Sequence, residues 1–91
     1  MIHVNITLTG KIQRVGFRFL SMQYAVKLGV TGFVMNLDKD KIYIEAEGSE
    51  EAIEKFKIWC RTGQCSQGMK HLAIEKAELK HFTAFDIVDS K

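Results

Sequence analysis

The chain of 91 residues has no proline, two cysteines and little excess charge of either sign. Without proline, its turns must depend on Gly, Asn and Asp. Cys60 and Cys65 are too few for a four-ligand zinc site or a disulfide scaffold, so we interpret both as reduced thiols of a cytoplasmic protein, with Cys60 facing the core. A formal net charge of +2 is far from the one-signed surface of a protein that neutralises many phosphates at once.

Long apolar runs are also missing. No run approaches the ~18–20 residues that cross a bilayer, and residues 1–5 lack the charged start and small-residue cleavage site of a signal peptide. A near-neutral chain with 46% hydrophobic residues can offset the entropy of ordering, so disorder is not expected. We expect a single domain over residues 1–91 with one core and no membrane partner, and nothing in the sequence requires more than a monomer.

The N-terminal third of the chain predicts one strand and one helix. Apolar and polar residues alternate up to Gly10, which is typical of a half-buried strand. The alternating apolar residues are Val4, Ile6 and Leu8. A period of 3.6 residues follows from about Arg18 to Leu28, and Gly29 is placed to end this helix.

The middle of the chain predicts a hairpin and a second helix. Residues 31–37 and 41–46 alternate in polarity and are joined by a short polar turn, so they should pair. Ser49 is a good N-cap for a helix that should fade near Gly63.

The C-terminal part predicts further strands. The apolar pattern of residues 72–79 changes parity, which indicates a strand with a bulge near Glu75, and a last strand includes Phe85. The order is therefore β, α, β, β, α, β with an extra or divided strand towards the end. This order is typical of an α+β, ferredoxin-like split βαβ sandwich, an antiparallel sheet with two helices on one face.

The loop between the first strand and the first helix is the strongest candidate for a ligand site. Gly10 and Gly16 bracket this loop, and the helix begins near Arg18, where backbone N–H groups without helical partners can bind an anion. A guanidinium there opposes the helix dipole by a few tenths of a kcal/mol, whereas its charged hydrogen bonds to phosphate contribute roughly 1.5–3 kcal/mol each. A solvated Arg beside an ordinary loop would give the same pattern, so local chemistry leaves both interpretations open.

Two blocks of the sequence resemble the acylphosphatase signature, whose blocks read G-x-V-Q-G-V-x-F-R and G-x-V-x-N. They are Gly10-Lys11-Ile12-Gln13-Arg14-Val15-Gly16-Phe17-Arg18 and Gly32-Phe33-Val34-Met35-Asn36. The resemblance covers nearly the whole chain, because the hairpin, the second helix and the closing strand follow in matching order.

This resemblance implies an acylphosphatase, an acid anhydride hydrolase that splits the carboxyl–phosphate bond of small acyl phosphates into carboxylate and inorganic phosphate. It implies that Arg18 holds the phosphate together with loop N–H groups, and that Asn36 orients the attacking water. The phosphate-binding loop would comprise Arg14, Val15, Gly16, Phe17 and Arg18. The resemblance also implies no metal, no cofactor and no covalent intermediate, with the substrate's own phosphate proposed as the base. Acyl phosphates are already activated, so positioning and charge stabilisation suffice.

The only groups that titrate near neutral pH are three histidines outside both blocks, His3, His71 and His81. We interpret them as surface or sheet residues without a catalytic role.

One departure from the signature bears on activity. Arg14 stands where the signature has Gly, and a non-Gly residue in the left-handed conformation costs about 1–2 kcal/mol. The Arg14 side chain could strengthen phosphate binding, crowd the loop or point outward. The alternative to an active enzyme is therefore a catalytically weakened anion-binding module of the same fold.

Two further departures affect loops. The hairpin turn at residues 38–41 lacks the usual Gly, so its turn type is open. The loop at residues 63–68 should be more mobile than in relatives and should expose Cys65, which we interpret as a neutral surface thiol rather than a regulatory one.

Sheets of this kind can stack bases on exposed aromatic rings, so a nucleic-acid partner is a further alternative. Phe33 and Tyr43 are the candidates, but the chain lacks an aromatic-rich RNA-binding block and has little net charge. We therefore expect a small acyl phosphate or inorganic phosphate as the partner, and no nucleic acid.

Overall fold

The computed structural model describes residues 1–10, 16–38, 40–62 and 69–88, with only the backbone of Asp38. Within these ranges the elements are, in order, β1 (Ile2–Gly10), α1 (Phe17–Leu28), β2 (Thr31–Asp38), β3 (Lys41–Gly48), α2 (Glu50–Thr62), β4 (Met69–Ala77) and β5 (Phe85–Val88). Neither helix in the described ranges combines the length and apolar character needed to cross a bilayer. The predicted loop that contains Cys65 lies outside the described residues.

The strands form one sheet in the order β4-β1-β3-β2-β5. β1 pairs antiparallel with both β3 and β4, and β2 pairs antiparallel with β3. β5 pairs parallel with β2 at the sheet edge, so the sheet is mixed rather than purely antiparallel. The ferredoxin-like α+β class is confirmed, and the extra strand expected near the end of the chain is present as separate strands β4 and β5.

The predicted signals at the helix ends are confirmed. Gly29 has φ 78°, and its N–H donates to Val26 O at 3.1 Å, which is a left-handed C-cap. Ser49 Oγ accepts the N–H of Ala52 at 3.1 Å, the bond expected of an N-cap. α1 begins at Phe17, one residue earlier than predicted.

The predicted bulge near Glu75 is wrong. Pairing with β1 is unbroken from His71 to Ala77, and the register shifts at the other end of β4, where Lys70 has no partner on β1. The change of parity has a simpler cause, because β4 ends before Leu79, which belongs to the next connection.

The helices cover one face of the sheet, which we call the helix face. Alternate residues of the central strands point to this face and pack against buried helix side chains. The buried core consists of Val4, Ile6, Leu8, Phe17, Ala25, Val30, Val34, Ile42, Ile44, Ala46, Ile53, Phe56, Cys60 and Phe85. Cys60 is a free, fully buried thiol, as predicted, and burial raises its pKa to about 12.

Residues 78–84 connect β4 to β5 across the opposite face of the sheet, and we call this segment the crossover. Its backbone binds the buried carboxylate of Glu47, which accepts the N–H of His81 at 3.2 Å, that of Phe82 at 3.0 Å and that of Lys80. The Phe82 ring lies over Phe33 with 5.8 Å between ring centroids. Phe33 is therefore partly covered and is not an open platform for a base.

Candidate active site

The first turn of α1 offers backbone N–H groups without a side-chain cap. Gly16 is the N-cap residue, with φ 70° and ψ 30°, and among the described residues no side-chain cap hydrogen bond is made at this helix start. The turn also lacks an acidic residue. The N–H of Leu20 donates to Gly16 O at 3.2 Å, so the N–H groups that precede it lie outside the helical ladder. Such a start favours an anionic ligand.

Two neighbouring residues of this turn point in different directions. Phe17 is 1% exposed and belongs to the core, whereas Arg18 is half-buried. Ser21 Oγ donates to Arg18 O at 2.8 Å, which fixes the carbonyl of the turn. The anchored Phe17 thus holds the backbone from which the Arg18 guanidinium extends.

Asn36 lies near the end of β2 on the helix face. It pairs with Ile42 of β3, which pairs with Leu8 of β1, so the three side chains form a row across the sheet. The β2–β3 register shifts directly after Asn36. Asn36 Oδ1 is buried and has no hydrogen-bond partner among the described residues. A buried amide oxygen of this kind can accept a hydrogen bond from a small ligand or water.

Arg18 and Asn36 lie at the same edge of the sheet, the one formed by the C-terminal ends of β1 and β2. β1 and β2 are both antiparallel to β3 and therefore run in the same direction. α1 starts beyond the C-terminal end of β1, and Asn36 is near the C-terminal end of β2. The N–H of Gly10 donates to Asp40 O at 2.7 Å, which ties the end of β1 to the turn after β2. Chain direction and this bond bring the two sequence blocks to one edge.

Part of the predicted phosphate-binding loop is not described. Gly16, Phe17 and Arg18 lie at the start of α1 as stated above, whereas Arg14 and Val15 lie outside the described residues.

There is a steric reason for the glycine at position 32, which begins the second sequence block. Gly32 has φ 139°, and a Cβ at this position would lie 1.8 Å from the backbone oxygen of Glu45. The N–H of Gly32 donates to Ala84 O at 2.9 Å. The backbones of β2 and β3 can approach this closely only where a side chain is absent.

A buried polar cluster on the opposite face was missed by sequence reasoning. His3 and Glu47 are each 1% exposed, and Glu45 is 6% exposed. His3 Nδ1 lies 2.8 Å from Glu47 Oε2, and His3 Nε2 lies 3.0 Å from Glu45 Oε1. Alternation places His3 in a strand, as interpreted, but its pairing with Glu47 depends on the register of β1 against β3, which alternation does not reveal.

Hydrogen bonds keep both carboxylates of this cluster ionised. Burial alone would raise the pKa of Glu45, but hydrogen bonds from Lys80 and Tyr43 hold that pKa below its usual value. Burial is likewise outweighed at Glu47, where bonds from the Lys80 N–H and from His3 lower the pKa. Burial and its hydrogen bond to Glu45 raise the pKa of Tyr43 to about 12.

The other two histidines lie away from the helix face. His71 pairs with Thr9, whose side chain points away from the helix face, and His81 belongs to the crossover. Among the described residues, no group of three His, Cys, Asp or Glu side chains is placed to hold a metal ion.

Comparisons with known proteins identify the family of the chain. The acylphosphatase family model matches residues 4–87. An acylphosphatase of Archaeoglobus fulgidus is 32% identical over 87 residues, which are 96% of this chain and 98% of the relative. An acylphosphatase of Trichormus variabilis is 31% identical over 96% of this chain and 86% of its own length. The crystal structure of acylphosphatase from Bacillus subtilis superposes with a TM-score of 0.89 at 29% identity, covering 97% of this chain and 99% of that one. The chain therefore belongs to the acylphosphatase family of hydrolases.

Proposed function

We propose that this chain hydrolyses small acyl phosphates, with Arg18 holding the phosphate and Asn36 orienting the attacking water. The observation that carries the proposal is the buried Asn36 Oδ1, which has no partner among the described residues. It lies at the same edge of the sheet as the uncapped first turn of α1. An acceptor for a water and donors for an anion thus occur together.

Arg18 and the first-turn N–H groups supply complementary parts of a phosphate site. The planar guanidinium can bind two phosphate oxygens at once, and the N–H groups of residues 16–18 add fixed donors at the positive end of the helix dipole. These donors also stabilise the charge that develops on the equatorial oxygens during transfer. Arg14 and Val15 would extend this set of donors, as the family resemblance implies.

Asn36 supplies positioning without titrating. Its Oδ1 accepts a hydrogen bond from the water, which directs the water oxygen at phosphorus. The water oxygen bonds to phosphorus, the bond from phosphorus to the acyl oxygen breaks, and the carboxylate leaves with that electron pair. The water proton passes to an oxygen of the substrate's own phosphate, so no side-chain base is used.

Two substitutions test these roles separately. Arg18→Ala should abolish inorganic phosphate binding and turnover together, because it removes the charged ligand. Asn36→Ala should leave phosphate binding intact and lower kcat by about 10²–10³, the scale of a lost positioning group. The measurements are hydrolysis of benzoyl phosphate and calorimetric titration with inorganic phosphate.

Lys27→Ala is the control, because Lys27 is an exposed cation in the last turn of α1, at the opposite end of that helix from Arg18. It should behave like the wild type in both measurements. Equal kcat for Asn36→Ala and the wild type would contradict the role of Asn36. If the wild type binds phosphate but hydrolyses benzoyl phosphate no faster than the substrate decays spontaneously, the proposed hydrolase activity would be contradicted.

Arg14→Gly separates the enzyme from the weakened-module alternative. On our proposal the native chain is already active, and the substitution changes its activity little. Activity that appears only in Arg14→Gly would show that Arg14 disables the loop.

A further inference from the structure

Trp59 lies at the junction between α2 and the start of α1. It is half-buried and packs against the core cluster. Its ring centroid is 5.2 Å from that of Phe17 and 5.4 Å from that of Tyr24. Both partners belong to α1, whereas Trp59 belongs to α2. The indole therefore connects the two helices.

The contact with Phe17 reaches the backbone of the candidate phosphate site. Phe17 is the first residue of α1, between the N-cap Gly16 and Arg18. Its N–H is one of those that precede the helical ladder. A side chain that fixes the Phe17 ring thus also fixes the main chain on both sides of it, including the donors that face a phosphate.

The contact with Tyr24 also restrains the direction of the α1 axis. Tyr24 lies seven residues beyond Phe17, which is about two turns or ~10 Å along the helix. The Tyr24 and Trp59 rings are nearly parallel, with 19° between their planes. Because the indole touches α1 at two separated points, it restrains the tilt of the helix as well as its distance from α2.

The other aromatic ring of the same stripe does not provide this link. Phe56 pairs with Trp59 at 6.1 Å and with Phe85 of β5 at 6.0 Å. These contacts pack the Phe56 ring against the indole of Trp59 and connect α2 to the sheet.

We propose that Trp59 is a positioning residue for phosphate binding: through Phe17 and Tyr24 it holds the first turn of α1 so that the turn's N–H groups and Arg18 converge on the phosphate. This inference rests on the proposed function of Arg18. The role is indirect, since Trp59 acts on the backbone that presents the ligands.

A matched pair of substitutions tests the proposal. Trp59→Leu removes the ring contacts to α1, and Phe85→Leu removes a buried ring of the same core at the start of β5, away from the site. Trp59→Leu should raise KM for benzoyl phosphate and Ki for inorganic phosphate by about tenfold, and it should also lower kcat, because the donors that Trp59 positions act in the transition state as well. Phe85→Leu should lower the midpoint of thermal unfolding but leave Ki within about twofold of the wild type. Trp59→Phe keeps a ring on Phe17 and should restore most of the affinity.

Trp59 also provides its own spectroscopic readout, because it is the single tryptophan of the chain. Titration of the wild type with inorganic phosphate should change its emission saturably, with the same midpoint as calorimetry. The change should be absent in Arg18→Ala.

The outcomes separate the two proposals. Phosphate binding with an unchanged Ki in Trp59→Leu would overturn the role of Trp59 alone, and so would an equal loss of affinity in Phe85→Leu. A saturating phosphate titration without any response of Trp59 would also overturn it. Absence of phosphate binding in the wild type would overturn the proposed function and this role together.

Discussion

The two faces of the sheet are covered in different ways and with different chemistry. On the helix face, aliphatic strand residues meet the apolar side chains of α1 and α2. On the opposite face, His3, Glu45 and Glu47 are buried beneath the crossover. The candidate site lies at the edge of the apolar face, whereas the buried charges lie on the other one.

This difference shows what buried charge does in this protein. Strongly paired titrating groups often mark functional sites, yet here they hold the path of the chain. The Glu47 carboxylate accepts N–H groups from three consecutive crossover residues, so it takes the place of the strand partner that the crossover lacks. The helix face needs no such device, because its helices satisfy their own backbone groups.

The largest expected effect separates stability from activity. Glu47→Ala leaves His3 and three N–H groups without their acceptor. Each buried donor left without a partner costs about 1–3 kcal/mol, so we expect the free energy of unfolding to fall by about 3–5 kcal/mol. Urea unfolding measures this loss. Below the unfolding midpoint, Ki for phosphate should equal the wild-type value, because Glu47 is at the far end of the opposite face from Asn36.

Glu75→Ala is the control for the charge itself. Glu75 is an exposed carboxylate on the same face, opposite Asn5, and its removal should change stability by less than about 0.5 kcal/mol. If Glu47→Ala weakened phosphate binding while the protein remained folded, the separation of the two faces would fail.

A smaller loss of stability is expected at Gly32, where the backbones of β2 and β3 approach each other closely. Gly32→Ala places a methyl group against the Glu45 carbonyl on a strand with φ 139°, and we expect a loss of about 3 kcal/mol from strain and overpacking. Thermal unfolding measures this change. Gly48→Ala is the control, because the nearest atom to its Cβ would be a Val30 side-chain carbon at 3.5 Å, an ordinary contact. Equal stability of the two variants would contradict the steric reason given for the second block.

The smallest effect should appear in acid. Burial raises the pKa values of Glu45 and Glu47, but hydrogen bonds outweigh it and both pKa values are lowered in the folded protein. Their stabilisation is therefore complete above the unfolded pKa of about 4.3 and is lost as pH falls through the folded values. A protonated carboxyl still accepts N–H bonds, so the loss is smaller than in Glu47→Ala.

Hydrogen exchange can locate this acid effect. Protection of the N–H groups of residues 80–82 should fall below about pH 4, after correction for intrinsic rates, while α2 remains protected. In Glu47→Gln, which cannot titrate at this position, the acid dependence should be weaker. Simultaneous loss of protection in α2 and the crossover would mean that the two faces open as one unit.

Local chemistry made much of the fold predictable from the sequence. The roles of Arg18 and Asn36 come instead from the resemblance of two sequence blocks to a family signature, and they stay predictions. Alternation located the strands, and Gly29 and Ser49 marked helix ends. These signals depend on neighbours in the chain, which is why they can be read without knowing the fold.

The remaining features depend on contacts between distant residues. The pairing of His3 with Glu47 requires the β1–β3 register, and the parallel addition of β5 requires the crossover to pass over the sheet. The crossover has no periodicity to indicate this path. The burial of Asn36 Oδ1 and the ring contacts of Trp59 likewise follow from packing rather than from their sequence neighbours.

The burial of Cys60 affects how fast its thiol can be modified rather than how stable the fold is. A thiol reacts as its thiolate, and a buried group with a pKa near 12 is almost entirely protonated at neutral pH. A thiol reagent can therefore modify Cys60 only when α2 separates from the sheet. The rate of that modification therefore measures how often the helix face opens, which is a motion that would also disturb the candidate site at its edge.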